Sequence, residues 1–178
     1  MLKITAIVIV VLIAAVLLYS ATRPDTFRVQ RSANIHASPE KIFPLINDLR
    51  SFNAWNPYAK KDPNAKGSYS GPPSGIGAAH AFEGNKDVGK GNIEITESSP
   101  PAKVTMALNM FSPFEAHNVV EFTLEPAGET TTVTWAIHGP MPFMSKVMCL
   151  FLDMNRMIGT DFEKGLSDLK ATAEAYTR

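Results

Sequence analysis

The chain opens on an unbroken apolar run: from Ile4 to Ala21 about 18 residues pass without a charged side chain, close to the ~20 that carry a helix across the hydrocarbon core of a bilayer. After Thr22 the pattern changes to short periodic segments. Thr26 to Ile35 alternates Phe27, Val29 and Arg31 with polar neighbours, which predicts a strand. Ser38 then stands where an N-cap belongs, with Pro39 at the first helical position, where a missing N–H costs nothing. Ile42, Phe43, Leu45, Ile46 and Leu49 follow at spacings of three and four, an apolar helical face. Pro44 interrupts that face, so it belongs near the first turn or marks a break between two short helices.

From Asn56 to Gly91 proline and glycine crowd the chain into loops and hairpins. Within them Ala78 to Glu83 and Asn92 to Glu97 alternate as short strands. Three stronger strands follow, with inward sets Val104, Met106, Leu108, Met110, then Asn118, Val120, Phe122, Leu124, then Val133, Trp135, Ile137. Ser99-Pro100-Pro101 and Glu125 to Glu129 supply turns between them. A stripe of Met144, Val147, Met148, Phe151, Met154, Ile158, Phe162, Leu166 and Leu169 predicts one long helix from Phe143 to Tyr176. Gly159 and Gly165 weaken it slightly and let it approach a sheet closely. The order of strand, short helices, about six strands and long helix predicts an α+β fold: an antiparallel sheet with its helices on one face.

The apolar run has two readings, a transmembrane anchor or a cleaved export signal. The only small-residue cleavage pattern ends at Ala21 and puts bulky Tyr19 where a small side chain is needed, which favours the uncleaved anchor. Lys3 on one side and Arg23, Arg28 and Arg31 on the other nearly cancel the charge asymmetry that orients such helices. The preferred orientation places the domain on the non-cytoplasmic side. The expected organisation is an anchor over residues 1–22 and one domain over 23–178, large enough to bury a core and enclose a pocket.

Charge narrows the function classes. Lys+Arg 17 balances Asp+Glu 17 without a basic cluster, so no nucleic-acid partner is expected. Cys149, the single cysteine, sits in the apolar run Val147 to Phe151, which suits an inert thiol and excludes an internal disulfide. The four histidines, His36, His80, His117 and His138, lie in separate segments without metal-ligand spacing, so no metal site is expected. The glycines from Gly71 to Gly77 match neither a phosphate-binding loop nor a dinucleotide fingerprint, and read as a mobile hairpin loop beside a cavity entrance.

The run Ala37-Ser38-Pro39-Glu40-Lys41-Ile42-Phe43, then Asn47-Asp48-Leu49 and Trp55-Asn56-Pro57, resembles the opening of the polyketide cyclase/dehydrase and lipid-transport family of the START-like (SRPBCC) superfamily. Tyr69-Ser70-Gly71, Gly75-Ile76-Gly77, Glu83-Gly84-Asn85, Val88 to Gly91, Ile95-Thr96-Glu97 and Val133-Thr134-Trp135 continue the resemblance in order, over essentially all of Phe27 to Glu174. The resemblance implies the helix-grip fold, in which a curved antiparallel sheet wraps around a long C-terminal helix and encloses an apolar cavity. It implies no cofactor and no portable catalytic motif.

Expected cavity residues are Trp55, Tyr58, His80, Phe82, Met106, Asn118, Trp135, Met148 and Phe151. His80 shares a strand face with Phe82 and is the best-placed titratable group, although a satisfied core or edge histidine is the commoner case. Asn118 shares a face with Val120 and Phe122, where a buried amide either bonds backbone or orients a ligand. The methionines fill core gaps or line an adaptable pocket. Met141 to Leu152 is apolar nearly all round, a surface for core, bilayer or partner. The expected partner is a hydrophobic small molecule or lipid, bound by a membrane-anchored carrier or sensor. Two alternatives remain, a cyclase/dehydrase-type enzyme using the same cavity and an accessory module of a membrane complex. No catalytic constellation is identifiable.

Overall fold

A computed structural model describes residues 2–175. It starts with α1 (Leu2–Ala21), long and apolar enough to cross a membrane and almost wholly exposed. At its end Ser20 is buried. After a four-residue connection the chain enters β1 (Thr26–Ile35). Ser38 and Pro39 open α2 (Pro39–Asn47) as expected, although the Ser38 side chain makes no cap hydrogen bond to the backbone.

Pro44 lies inside α2, beyond its first turn, and the helix runs on to Asn47. The break comes later, at Asp48, whose carboxylate accepts from the Arg50 N–H and starts α3 (Leu49–Trp55). Asn56 caps α4 (Pro57–Lys61) in the same way through Tyr58 N–H. The first two of these short helices bury Ile42, Phe43, Ile46, Leu49, Phe52 and Trp55, and α4 buries Pro57.

Seven strands form one antiparallel sheet in the order β1-β7-β6-β5-β4-β3-β2, with β2 (Lys66–Ser70), β3 (Ala79–Glu83), β4 (Lys90–Ser99), β5 (Lys103–Ser112), β6 (Ala116–Ala127) and β7 (Thr130–Pro140). Six of them follow the alternation in the sequence. The seventh, β2, does not, because every residue in it is exposed and it carries no buried face to mark it. Neighbours Gly67↔Phe82 and Tyr69↔His80 define its place at the sheet edge.

The expected single C-terminal helix is two. A short α5 (Phe143–Met148) ends at Cys149, and α6 (Met154–Ala175) begins after Asp153. The expected end at Tyr176 lies outside the described residues. Asp153 causes the restart: its Oδ1 accepts from the Arg156 N–H at 2.9 Å, an N-cap bond. Only α6 belongs to the core, burying Phe162, Leu166, Leu169 and Ala173 across the sheet. Gly159 and Gly165 allow close approach, since a Cβ at Gly165 would lie 2.6 Å from the Trp135 ring and one at Gly159 would strike the Arg31 guanidinium. The curved sheet, the short helices and α6 together make the helix-grip arrangement.

Candidate functional site

The space between sheet and helices is filled at one end and open at the other. In the filled part five aromatic rings interlock: Trp135 stacks on Phe162 at 4.0 Å and tilts against Phe122 at 5.0 Å, while Phe52 and Trp55 meet edge-on at 5.0 Å. Trp55 is anchored by its Nε1–H, which donates to the Leu45 carbonyl at 2.9 Å. Edge-to-face and stacked rings at these separations add to plain area burial. Beyond this plug a cavity of about 240 Å³ remains.

Its floor is the sheet, over two adjacent rows. His80 pairs with Ile93 and Ile93 with Leu108 in one, Val120 pairs with Ile137 in the next, and all five line the cavity, with Phe82 and Met110 one step further out. Ile158 and Phe162 of α6 cover it, and Phe52, Asn53, Asn56 and Tyr58 close one side. A cavity of this size exceeds the ~150 Å³ apolar void that takes up benzene. It falls below the ~300–1,000 Å³ of drug-sized clefts.

The lining is mostly apolar, with a small polar corner. Asn53 Nδ2 donates to His80 Nδ1 at 3.1 Å and to the Tyr69 hydroxyl at 2.9 Å. A donor on Nδ1 leaves the ring proton on Nε2, the neutral tautomer. The ring stacks on Tyr69 at 4.4 Å, and the Arg50 guanidinium lies 4.1 Å over the other partner of that stack, Tyr69. Burial lowers the His80 pKa from its ordinary value, and the nearby Arg50 charge lowers it further. Gly67 is required beside it, because a Cβ there would lie 2.6 Å from His80 Nε2.

Tyr58 presents its ring to the cavity while its hydroxyl bonds Asp161, which Lys61 holds in turn at 2.7 Å. Burial first, then the Asp161 charge and hydrogen bond, push the phenol pKa well above its ordinary value. The Trp135 Nε1–H is buried without a hydrogen-bond partner in the protein. Such an orphaned donor costs ~1–3 kcal/mol.

Tyr58, His80, Phe82 and Trp135 thus meet at the cavity. Trp55 and Met106 are fully buried but pack into the plug and its surroundings rather than the cavity wall. Asn118 is half-buried at the margin of the same sheet face, packed against Gly139, and does not line the cavity. Met148 and Phe151 are 42% and 76% exposed and lie outside it altogether, because α5 and the turn after it leave the core. The loop from Gly71 to Gly77 also lies away from the cavity: Gly75 N–H bonds the Asn47 carbonyl and Gly77 N–H bonds that of Ile95.

Sequence reading missed Asn53, which orients His80, and Leu108, Met110, Ile137, Ile158 and Phe162 as a set. Strand alternation placed Leu108, Met110 and Ile137 inward and the helical stripe held Ile158 and Phe162; nothing in either pattern separated cavity from plug. Among the described residues no three His, Cys, Asp or Glu side chains converge as metal ligands would.

Residues 26–174 match the model of a family described as polyketide cyclase / dehydrase and lipid transport. Among curated proteins none matches the chain in sequence. Similar solved structures include a protein from Mesorhizobium loti, with TM-score 0.60, 15% identity and coverage of 85% of this chain and 99% of that one. A protein from Chromobacterium violaceum gives TM-score 0.57 at 15% identity over 85% and 99% of the two chains. Major latex-like protein 151 from Panax ginseng gives 0.57 at 13% identity over 84% and 99%. At these identities the structures share the fold.

Proposed function

The chain belongs to the polyketide cyclase/dehydrase and lipid-transport family, and from that premise we propose that it is a membrane-anchored carrier or sensor, holding a hydrophobic small molecule or part of a lipid in its cavity. Residues 1–22 are the anchor and 23–178 the binding domain. The observation that carries the reading is the 240 Å³ apolar hollow left beside an otherwise solid aromatic core. Its volume suits a compact ligand or a single chain segment. The polar corner of Asn53 and neutral His80 suits the one hydrogen-bonding end of such a molecule.

Carriage is favoured over catalysis by the state of the ionisable groups. Acid–base work calls for a pair whose pKa values are set apart and whose protons can reach the ligand. Here the Tyr58 hydroxyl is committed to Asp161, and His80 is paired with an amide. The anchor is supported by α1, whose length and apolarity suit a bilayer. The preferred orientation puts the domain on the non-cytoplasmic side.

Native mass spectrometry of the full chain, purified from its host, tests the reading. Lipid held around α1 would also co-purify, so the decisive comparison is with Leu108→Trp, which fills the cavity and leaves α1 untouched. The expected result is a lipophilic mass on the wild type that the variant lacks. No bound mass, or equal amounts on both chains, would overturn the proposal.

A further inference from the structure

The exposed large apolar side chains of the folded domain are concentrated at one end of it. Register fixes that end: Thr26 pairs with Pro140, Val119 with His138, Met110 with Ala116 and with Gly91, and Glu83 with Lys90. The β5–β6 turn therefore lies on the same edge as the start of β1 and the end of β7. That turn carries Phe111 and Phe114, 53% and 69% exposed. The segment after β7 carries Met144 and Phe151, 68% and 76% exposed. Among the described residues of the domain, the other edge shows only Tyr69 and Ile76 as exposed large apolar side chains.

This end is also where α1 joins. Asp25, in the connection to β1, accepts from Met141 N–H at 2.7 Å through its carbonyl and from buried Lys146 Nζ at 2.5 Å through its carboxylate. Two bonds thus tie α5 and the residues before it to the short connection between α1 and β1, and α5 packs on α1 itself. At the end of α1 the Arg23 guanidinium lies 5.4 Å from the centre of the Tyr19 ring. An aromatic and a cation at a helix end mark the level of a membrane interface. Large apolar side chains exposed together at one end of a domain mark a surface that meets a partner or a membrane.

We propose that this end of the domain, formed by Phe111, Phe114, Met144 and Phe151, docks onto the phospholipid bilayer that α1 crosses, with α5 lying in the interface plane. Short apolar helices and turns bind there by sinking one face to the headgroup–acyl boundary. The proposal rests on the anchor reading, since α1 is what holds the patch within reach. The cavity residues Ile93, Leu108, Val120 and Ile137 lie in the half of the sheet nearest the same end, so docking brings the hollow next to the lipid.

The test uses the full chain reconstituted in phosphatidylcholine vesicles with brominated acyl chains, which quench tryptophan on contact. Both native tryptophans are buried and supply a baseline. Four variants are compared: Phe114→Trp and Phe151→Trp in the patch, Ile76→Trp at the far end, and Val10→Trp within α1. Docking predicts loss of emission for 114, 151 and 10 and none for 76. Quenching at 10 without quenching at 114 and 151 overturns docking and leaves the anchor standing. No quenching at 10 overturns the anchor and, with it, the docking that rests on it. A blue-shifted but unquenched signal at 151 would mean that protein, a second copy or another chain, covers the patch, and overturns docking.

Discussion

His80 owes its protonation state to its neighbours. Burial and the Arg50 charge both disfavour the imidazolium, and Asn53 donates to the nitrogen that would otherwise take a proton. The folded pKa lies below the unfolded one, so as pH falls under about 6.5 the unfolded chain binds the proton first. Stability is therefore fully present above that value and declines until the lowered folded pKa is passed. NMR titration of the ring protons is expected to give a His80 midpoint below about 6.5, and His80→Gln should lessen the acid-side loss of stability in that window. A midpoint at or above the ordinary value would show the ring to be solvated. Strand alternation placed His80 on one face with Phe82, and the fold turned that face to the cavity. It could not reveal Asn53, which sits 27 residues away and reaches the ring only because α3 folds across β3.

The same division holds among the elements. Strands with a buried face announced themselves by alternation, whereas β2 is exposed throughout and exists because β3 offers it an edge. The C-terminal stripe read as one helix because Met144, Val147, Met148 and Phe151 continue the apolar pattern; only Asp153, an N-cap between apolar turns, signalled a restart. The two glycines of α6 make the packing testable. At Gly165 a new methyl would meet the Trp135 and Pro57 rings at 2.6 and 2.9 Å, rigid core groups that cannot swing away. Overpacking of this kind costs ~1–3 kcal/mol, offset in part by ~1 kcal/mol of helix propensity. Gly165→Ala is thus expected to lose on the order of 1 kcal/mol in chemical denaturation, from the difference of those two effects. An equal or higher midpoint would show that α6 can shift away from the sheet.

At the scale of the whole chain the fate of α1 is what distinguishes an anchor from an export signal. The anchor reading predicts that the protein stays with the membrane pellet after alkaline carbonate extraction, and that its intact mass includes the segment Lys3 to Ala21. A mature chain starting at Thr22, released with the soluble fraction, would instead identify α1 as a cleaved signal. The sequence alone carried the apolar leading helix, the α+β class, the helix-grip resemblance and most of the inward-facing set, because these follow from local periodicity and residue order. Tertiary structure alone decided how much of the hollow survives, which polar groups reach it, and that α5 leaves the core for the end where α1 joins. Those outcomes depend on how bulky side chains from distant segments fill a shared volume, and no local pattern contains that sum.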